Sequence, residues 1–256
     1  GLPTGAGFDG VVAVAHTEGG GTETPNNRDL LLRTLAGFAV HPNVGALLCV
    51  DYGSEAVSNT ALQQYLQDGG YAIDDVPHKF MSLSGGFEQH LTEAEEQARI
   101  WAGQLAQQTR MELPVAHLKL ALQCGGSDAF SGVSGNPLAA WSARELIACG
   151  GSANLAETDE LIGAEPYVLD RVRNAGAARR FLEMIERFKE RVAWHGASAE
   201  GNPSGGNKYR GLYNIVLKSI GAAMKRHPDV PLDGCLEYAE AMPHSGYWFM
   251  DSPGND

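Results

Sequence analysis

The chain has no apolar run long enough to span a bilayer, no repeat of fixed period, and little positive charge, with 19 lysines and arginines against 31 aspartates and glutamates. The first absence excludes a membrane helix, and the second excludes a solenoid. No basic stripe with interleaved aromatics occurs, and the formal net charge is −12, so nucleic acid is not the expected partner. An anionic ligand would meet overall repulsion. Binding one requires local positive elements: helix N-termini, Lys208, Arg210 or a metal ion.

Cysteine is also scarce. Cys49, Cys124, Cys149 and Cys235 are widely spaced, with no C-x-x-C pair, and no signal peptide precedes them, which points to the cytoplasm. Cys49 and Cys149 sit in apolar stretches and read as small core residues. Cys124 differs because glycines follow it.

What is present suits a globular enzyme. The 256 residues are 43% hydrophobic, enough for a full core, and the 32 glycines cluster behind apolar runs, where they read as tight turns. Four expected strands run into polar, mostly glycine-rich turns: Gly10–Ala15 into His16-Thr-Glu18-Gly-Gly20-Gly21, Ala46–Asp51 into Tyr-Gly-Ser54-Glu55, Leu118–Leu122 into Gln123-Cys124-Gly125-Gly126-Ser127-Asp128, and Tyr247–Met250 into Asp251-Ser-Pro-Gly-Asn-Asp. Open α/β sheets place their sites at such strand ends. Gly5-Ala-Gly7-Phe-Asp-Gly10 matches the dinucleotide fingerprint by letter but precedes its strand, so it reads as an entry segment.

Further strands are expected at Phe80–Leu83 and Ser152–Ala156. Helices are expected over about Asn27–Ala39, Asn59–Gln67, Thr92–Arg110 with Thr92 and Glu95 as a capping box, Asn136–Ala148, Ala177–His195 and Asn214–Lys225. The stretch from Gly196 to Lys208 reads as a polar loop without regular structure, and Arg226–Asp233 as a connection. The alternation predicts an α/β fold of three layers, a mostly parallel sheet with helices on both faces. The chain opens without methionine and closes just after a strand. It therefore reads as one catalytic region, 1–256, excised from a longer chain, with a sub-boundary near 112–117.

His16 and Glu18, two apart at a strand end, project to one face if the extended geometry persists, as metal ligands or an acid/base pair would. A histidine that only ties down its loop is the plainer reading. Gly20 and Gly21 would let backbone approach a ligand closely. The Cys124 turn holds a thiol, a hydroxyl and a carboxylate. Cys124 suits a nucleophile, while Ser127 and Asp128 also suit helix caps. Asn207 and Lys208 follow two glycines, so Lys208 can hold a substrate carboxylate, act as a base, or simply be a solvated lysine. Glu157 and Asp251 stand at strand ends as metal ligands or caps.

Taken together, His16-Thr-Glu-Gly, His41-Pro-Asn-Val-Gly, Gln123-Cys-Gly-Gly-Ser-Asp-Ala-Phe-Ser-Gly132, the run from Gly206-Asn-Lys to Ser-Ile-Gly221, and Met250-Asp-Ser-Pro-Gly-Asn-Asp resemble the altronate and galactarate dehydratase family. The resemblance implies a hydro-lyase that removes water from an aldonate or aldarate to give a 2-keto-3-deoxy acid, with Fe2+ or Mn2+ in support. It also implies amino- and carboxyl-terminal domains beyond this region, and a homo-oligomer is compatible with it. By matching motif it places His16, Cys124, Asp128, Asn207 and Lys208 at the site; with the residues beside them, the expected roles are His16, Cys124 and Lys208 as catalytic, Gly20, Gly21, Gly125, Gly126, Ser127 and Asn207 around the substrate, and His16, Glu18 and Asp128 at the metal. Two family cysteines are replaced here by Gly20 and Ser54, which removes soft ligands. Two rival readings remain open: a Cys124-dependent hydrolase, and a homologue that binds a sugar acid without converting it.

Overall fold

The structure, a computed structural model, describes residues 7–16 and 23–252. The chain divides into two compact units, Gly1–Glu112 and Leu113–Asp256. Glu18, Gly20 and Gly21 lie outside the described residues.

In the first unit, α1 (Arg28–Ala39) leads to β1 (Leu47–Asp51), α2 (Asn59–Asp68) and β2 (His78–Ser82), with β1 and β2 parallel in the register Leu47 to His78 through Asp51 to Ser82. Ser58 caps α2 by accepting the Ala61 amide at 3.3 Å. Buried Asp51 accepts the Asn59 amide at 2.6 Å, and the Asn59 side chain donates to the Met81 carbonyl at 3.0 Å. These bonds tie the helix start to both strand ends. Leu32, Ala36, Leu62 and Leu66 form the core, with Leu47, Cys49 and Phe80 packed against it. Burial, with help from Asp51, pushes the Cys49 thiol up to about 11.

Two expectations change in this unit. Gly10–Ala15 is not a strand, and Val11 and Val12 are 70% and 85% exposed. A short apolar run becomes a strand only where a neighbour supplies the ladder, and the βαβ unit is β1–α2–β2. The helix α3 spans Phe87–Leu105, five residues ahead of the expected start. Thr92 lies inside it and donates to the Glu88 carbonyl at 2.9 Å, a bond back along the helix rather than a cap.

The second unit carries four parallel strands in the order β3 (Lys119–Leu122), β4 (Ser152–Leu155), β6 (Gly246–Met250), β5 (Leu232–Leu236). The helices are α4 (Gly135–Ala148), α5 (Glu165–Leu169), α6 (Ala175–Trp194), α7 (Gly205–Tyr209) and α8 (Ile215–Ala223). Every residue of β4, and β6 from Gly246 to Phe249, is buried. Successive side chains point to opposite faces, so both faces of these central strands are covered. The chain is thus a three-layer α/β protein. Phe181, Met184 and Ile185 of α6 pack with Ala153, Leu155 and Phe249 of the sheet, each large apolar side chain contributing about 1.5–3 kcal/mol on burial.

β5 falls where a connection was expected, because Leu-Asp-Gly-Cys-Leu carries two strand-averse residues. Each has a partner here. Asp233 accepts the Tyr247 amide at 2.9 Å and pairs with Arg173 at 2.6 Å. A Cβ on Gly234 would stand 2.6 Å from the Trp248 ring. The register shifts between Leu232 and Gly234. The loop from Gly196 to Lys208 is also more ordered than expected, because Ser204 and Asn207 form a reciprocal capping box that starts α7. Cys149 is exposed rather than in the core.

Candidate active site

Leu122 of β3 pairs with Leu155 of β4, so the loops leaving their carboxyl ends emerge side by side. They open onto a cavity of about 330 Å³. Cys124 and Gly125 come from the first loop, Glu157 and Glu160 from the second, Asn202, Ser204 and Asn207 from the segment at α7, and Lys218 from α8. This is the position that the general geometry of open α/β sheets favours.

Glu157 is the most constrained of these residues. Its backbone is left-handed at φ 72°, a conformation that costs a residue with a Cβ about 1–3 kcal/mol and that clusters at functional sites. Its side chain is buried, and Oε2 accepts the Cys124 amide at 2.5 Å. Burial raises this carboxyl above the usual carboxylate range, the Cys124 amide opposes the rise, and the nearby Glu160 charge adds to it. Glu160 follows one 3₁₀ turn later in Thr158–Leu161, its amide bonded to the Glu157 carbonyl at 3.1 Å. Both side chains line the cavity.

Glu160 and Lys218 form a buried ion pair at 2.7 Å, with side chains 3% and 6% exposed. Lys218 also donates to Asn202 Oδ1 at 2.6 Å, and Asn202 in turn donates to Asp159 at 3.3 Å. Burial and the Glu160 charge raise the Asp159 carboxyl. The opposite wall is held by Asn207, whose side-chain amide donates to the Ser127 carbonyl at 2.9 Å while its backbone amide bonds to Ser204 Oγ at 3.3 Å.

Cys124 Sγ lies against Ser127 Oγ. Burial raises the thiol, the Ser127 hydroxyl opposes that, and the Glu160 charge raises it further, so it stays protonated at neutral pH. The amides of Gly125 and Gly126 bond to no other described residue. They can meet an anion.

The structure thus brings Cys124, Gly125 and Asn207 to one cavity and keeps Ser127 in contact with two of them. Gly126 lies beside Arg210, whose guanidinium would be 3.8 Å from an added Cβ. Lys208 is exposed on α7 and does not line the cavity. Asp128 closes its own turn: its Oδ1 accepts the Ser131 amide at 2.7 Å. His16 is exposed in the first unit. Among the described residues no three His, Cys, Asp or Glu side chains are arranged to hold a metal. Glu18 lies outside those residues and one Asp128 oxygen is taken by Ser131, so the described residues do not assemble the expected ligand set.

Glu160, Asn202 and Lys218 were not picked out from the sequence. A signal existed for Lys218, the one charged residue in the otherwise apolar stretch Ile215-Val-Leu-Lys-Ser-Ile-Gly-Ala-Ala223. A buried ammonium needs a carboxylate or a ligand.

Comparison with known proteins places both units in one family. Residues 115–256 match the family described as D-galactarate/altronate dehydratase, C-terminal, and residues 4–106 match D-galactarate dehydratase/altronate hydrolase, second domain. Altronate dehydratase of Bacillus subtilis is 31% identical over 255 residues, 97% of this chain and 49% of the relative. Altronate dehydratase of Escherichia coli is 30% identical over 253 residues, 98% of the chain and 49% of the relative. The (2R)-sulfolactate sulfo-lyase subunit beta of Chromohalobacter salexigens is 30% identical over 226 residues, covering 88% and 57%. The chain spans about half the length of these curated relatives. With both of its units matched in sequence along nearly their whole length, the chain belongs to the D-galactarate/altronate dehydratase family.

Proposed function

We propose that this chain forms the dehydration site of a sugar-acid hydro-lyase, acting on an aldonate or aldarate to give a 2-keto-3-deoxy acid. The observation that carries the reading is Glu157: a buried carboxyl with a raised affinity for its proton, fixed on the amide of the Cys124 loop in a polar cavity at the strand ends.

Dehydration of a 2,3-dihydroxy acid passes the C2 proton to a base, the role left to His16 or Lys208 in the whole protein, and expels the C3 hydroxyl. The resulting enol takes a proton at C3 and becomes the 2-keto acid. The leaving hydroxide needs a proton, and Glu157 is the group suited to give it. A substrate carboxylate nearby raises Glu157 further by like-charge repulsion, so binding readies the acid. The free amides of Gly125 and Gly126 are the local positive groups for that carboxylate, and they stabilise the charge that builds on it as C2 loses its proton. Asn207 holds the loop carrying those amides in place.

The thiol of Cys124 packs in the wall as a neutral group. Because it is held protonated beside Ser127, with no imidazole among the lining residues, the hydrolase reading loses its nucleophile. Roles for His16 as an acid, base or metal ligand, for Lys208 as a carboxylate-binding or basic group, and for Fe2+ or Mn2+ are proposed for the whole protein. So are cytoplasmic placement and a homo-oligomer. Among the described residues no helix is long and apolar enough to cross a membrane.

The test is a keto-acid assay of the whole protein on a panel of aldonates and aldarates, wild type against Glu157→Gln. The isosteric amide keeps an acceptor for the Cys124 amide and removes the proton donor. Turnover should fall by about 10²–10⁴-fold. An unchanged rate refutes the role of Glu157, and binding without turnover by the wild type favours the non-catalytic homologue.

A further inference from the structure

Glu160 is half satisfied. Its Oε1 accepts from Lys218 at 2.7 Å, whereas Oε2 is buried with no hydrogen-bond partner. The side chain is 3% exposed and lines the cavity. A carboxylate oxygen without a donor is expensive to bury, and such an atom in a residue that lines a cavity calls for a donor from a ligand.

The neighbours do not supply that donor. Lys218 directs two of its three N–H groups to Glu160 Oε1 and Asn202. Asn202 directs its amide to Asp159 Oδ2, and Asp159 Oδ1 is itself buried without a partner. Two buried acceptors, Glu160 Oε2 and Asp159 Oδ1, thus receive no hydrogen bond from this lysine or this amide. A second carboxylate does not fit there, because it brings only acceptors. A metal ion does not fit either, since the described carboxylates are not arranged as a ligand set. A neutral hydroxyl donates one proton and carries no charge to repel.

We propose that Glu160, oriented by Lys218, reads a hydroxyl on the part of the substrate beyond the two reacting carbons, and so sets the preference for a polyhydroxylated chain over a short acid. This inference rests on the dehydratase reading of the same cavity. Glu160 is here a specificity residue, and Lys218 a positioning residue that fixes which carboxylate oxygen faces the ligand.

The experiment compares altronate, which has hydroxyls beyond C3, with glycerate, which ends at C3, using the whole protein as wild type, Glu160→Gln and the double variant Glu160→Gln/Lys218→Met. The ratio of kcat/KM for altronate over glycerate should fall at least tenfold in Glu160→Gln, the loss of one charged hydrogen bond. Equal losses on both substrates overturn the proposal. If Glu160→Gln does not fold because the lysine is left unpaired, the double variant removes that charge and must show the same collapse of the ratio. Calorimetric binding of both acids separates the two readings. Should the wild type turn over neither acid, the dehydratase reading fails, and the subsite still stands or falls on whether Glu160→Gln lowers altronate affinity more than glycerate affinity.

Discussion

Replacing Lys218 by methionine keeps the length of the side chain and removes its ammonium. The residue left behind is Glu160, 3% exposed, whose Oε1 loses its partner while Oε2 already has none. Breaking a buried pair from one side costs about 3–5 kcal/mol. With a urea m-value of about 2 kcal/mol/M, that is a fall of about 1.5–2.5 M in the unfolding midpoint. Removing both charges in Lys218→Met/Glu160→Leu should recover most of the loss, since a buried pair exchanged for apolar groups is often neutral or stabilising. Urea unfolding of the 256-residue chain followed by tryptophan fluorescence reads this, because Trp141, Trp194 and Trp248 all lie in the second unit. A coupling energy below about 1 kcal/mol between the two positions, or a double variant no more stable than the single, would refute the claim that the pair is isolated from water.

Other outcomes follow from the same geometry. Glu157 and Asp159 bind their protons more tightly folded than unfolded, so their contribution to stability is full below the ordinary carboxylate range and is lost as pH rises through the raised values. Glu157→Gln should therefore melt higher than wild type near pH 7 and equal to it below about pH 4; a difference that does not depend on pH contradicts this. Iodoacetamide labelling mapped by mass spectrometry should reach exposed Cys149 well before Cys124, Cys49 and Cys235, because burial raises those three thiols, Cys235 to about 12. Rapid stoichiometric labelling of Cys124 would revive the nucleophile reading. His16→Ala in the whole protein should abolish turnover while leaving circular dichroism unchanged, and normal turnover removes His16 from the reaction.

Where a pattern reports its own environment, the sequence was readable. The apolar run Ala46–Asp51 and the aromatic run Tyr247–Met250 became β1 and β6 to within a residue. Asn59 and Asn136-Pro137 marked helix starts through local backbone chemistry. Where the outcome depends on a partner far along the chain, the reading failed. Val11 and Val12 look like a buried strand but are exposed and in no strand among the described residues, whereas Asp233 and Gly234 look like a turn but are, in that order, paired with Arg173 and covered by Trp248.

The site divides in the same way. The glycines after Cys124 flagged that loop, and the position of Glu157 after β4 flagged a carboxylate at a strand end. Lys208 drew attention as the cation beside a glycine-rich loop, yet the lysine in the cavity is Lys218, in an apolar helix. Its partner Glu160 lies 58 positions away in the chain, and no local rule links them. Asp128, a carboxylate two residues past glycines, bonds locally to the Ser131 amide.

A crystal structure of the whole protein carrying Glu157→Gln, with altronate bound, tests the central claim most directly. The sugar acid should lie in the cavity beside β3 and β4, its carboxylate on the Gly125 and Gly126 amides and residue 157 within hydrogen-bond distance of the C3 hydroxyl. Altronate held elsewhere, with that cavity filled only by solvent, would contradict it.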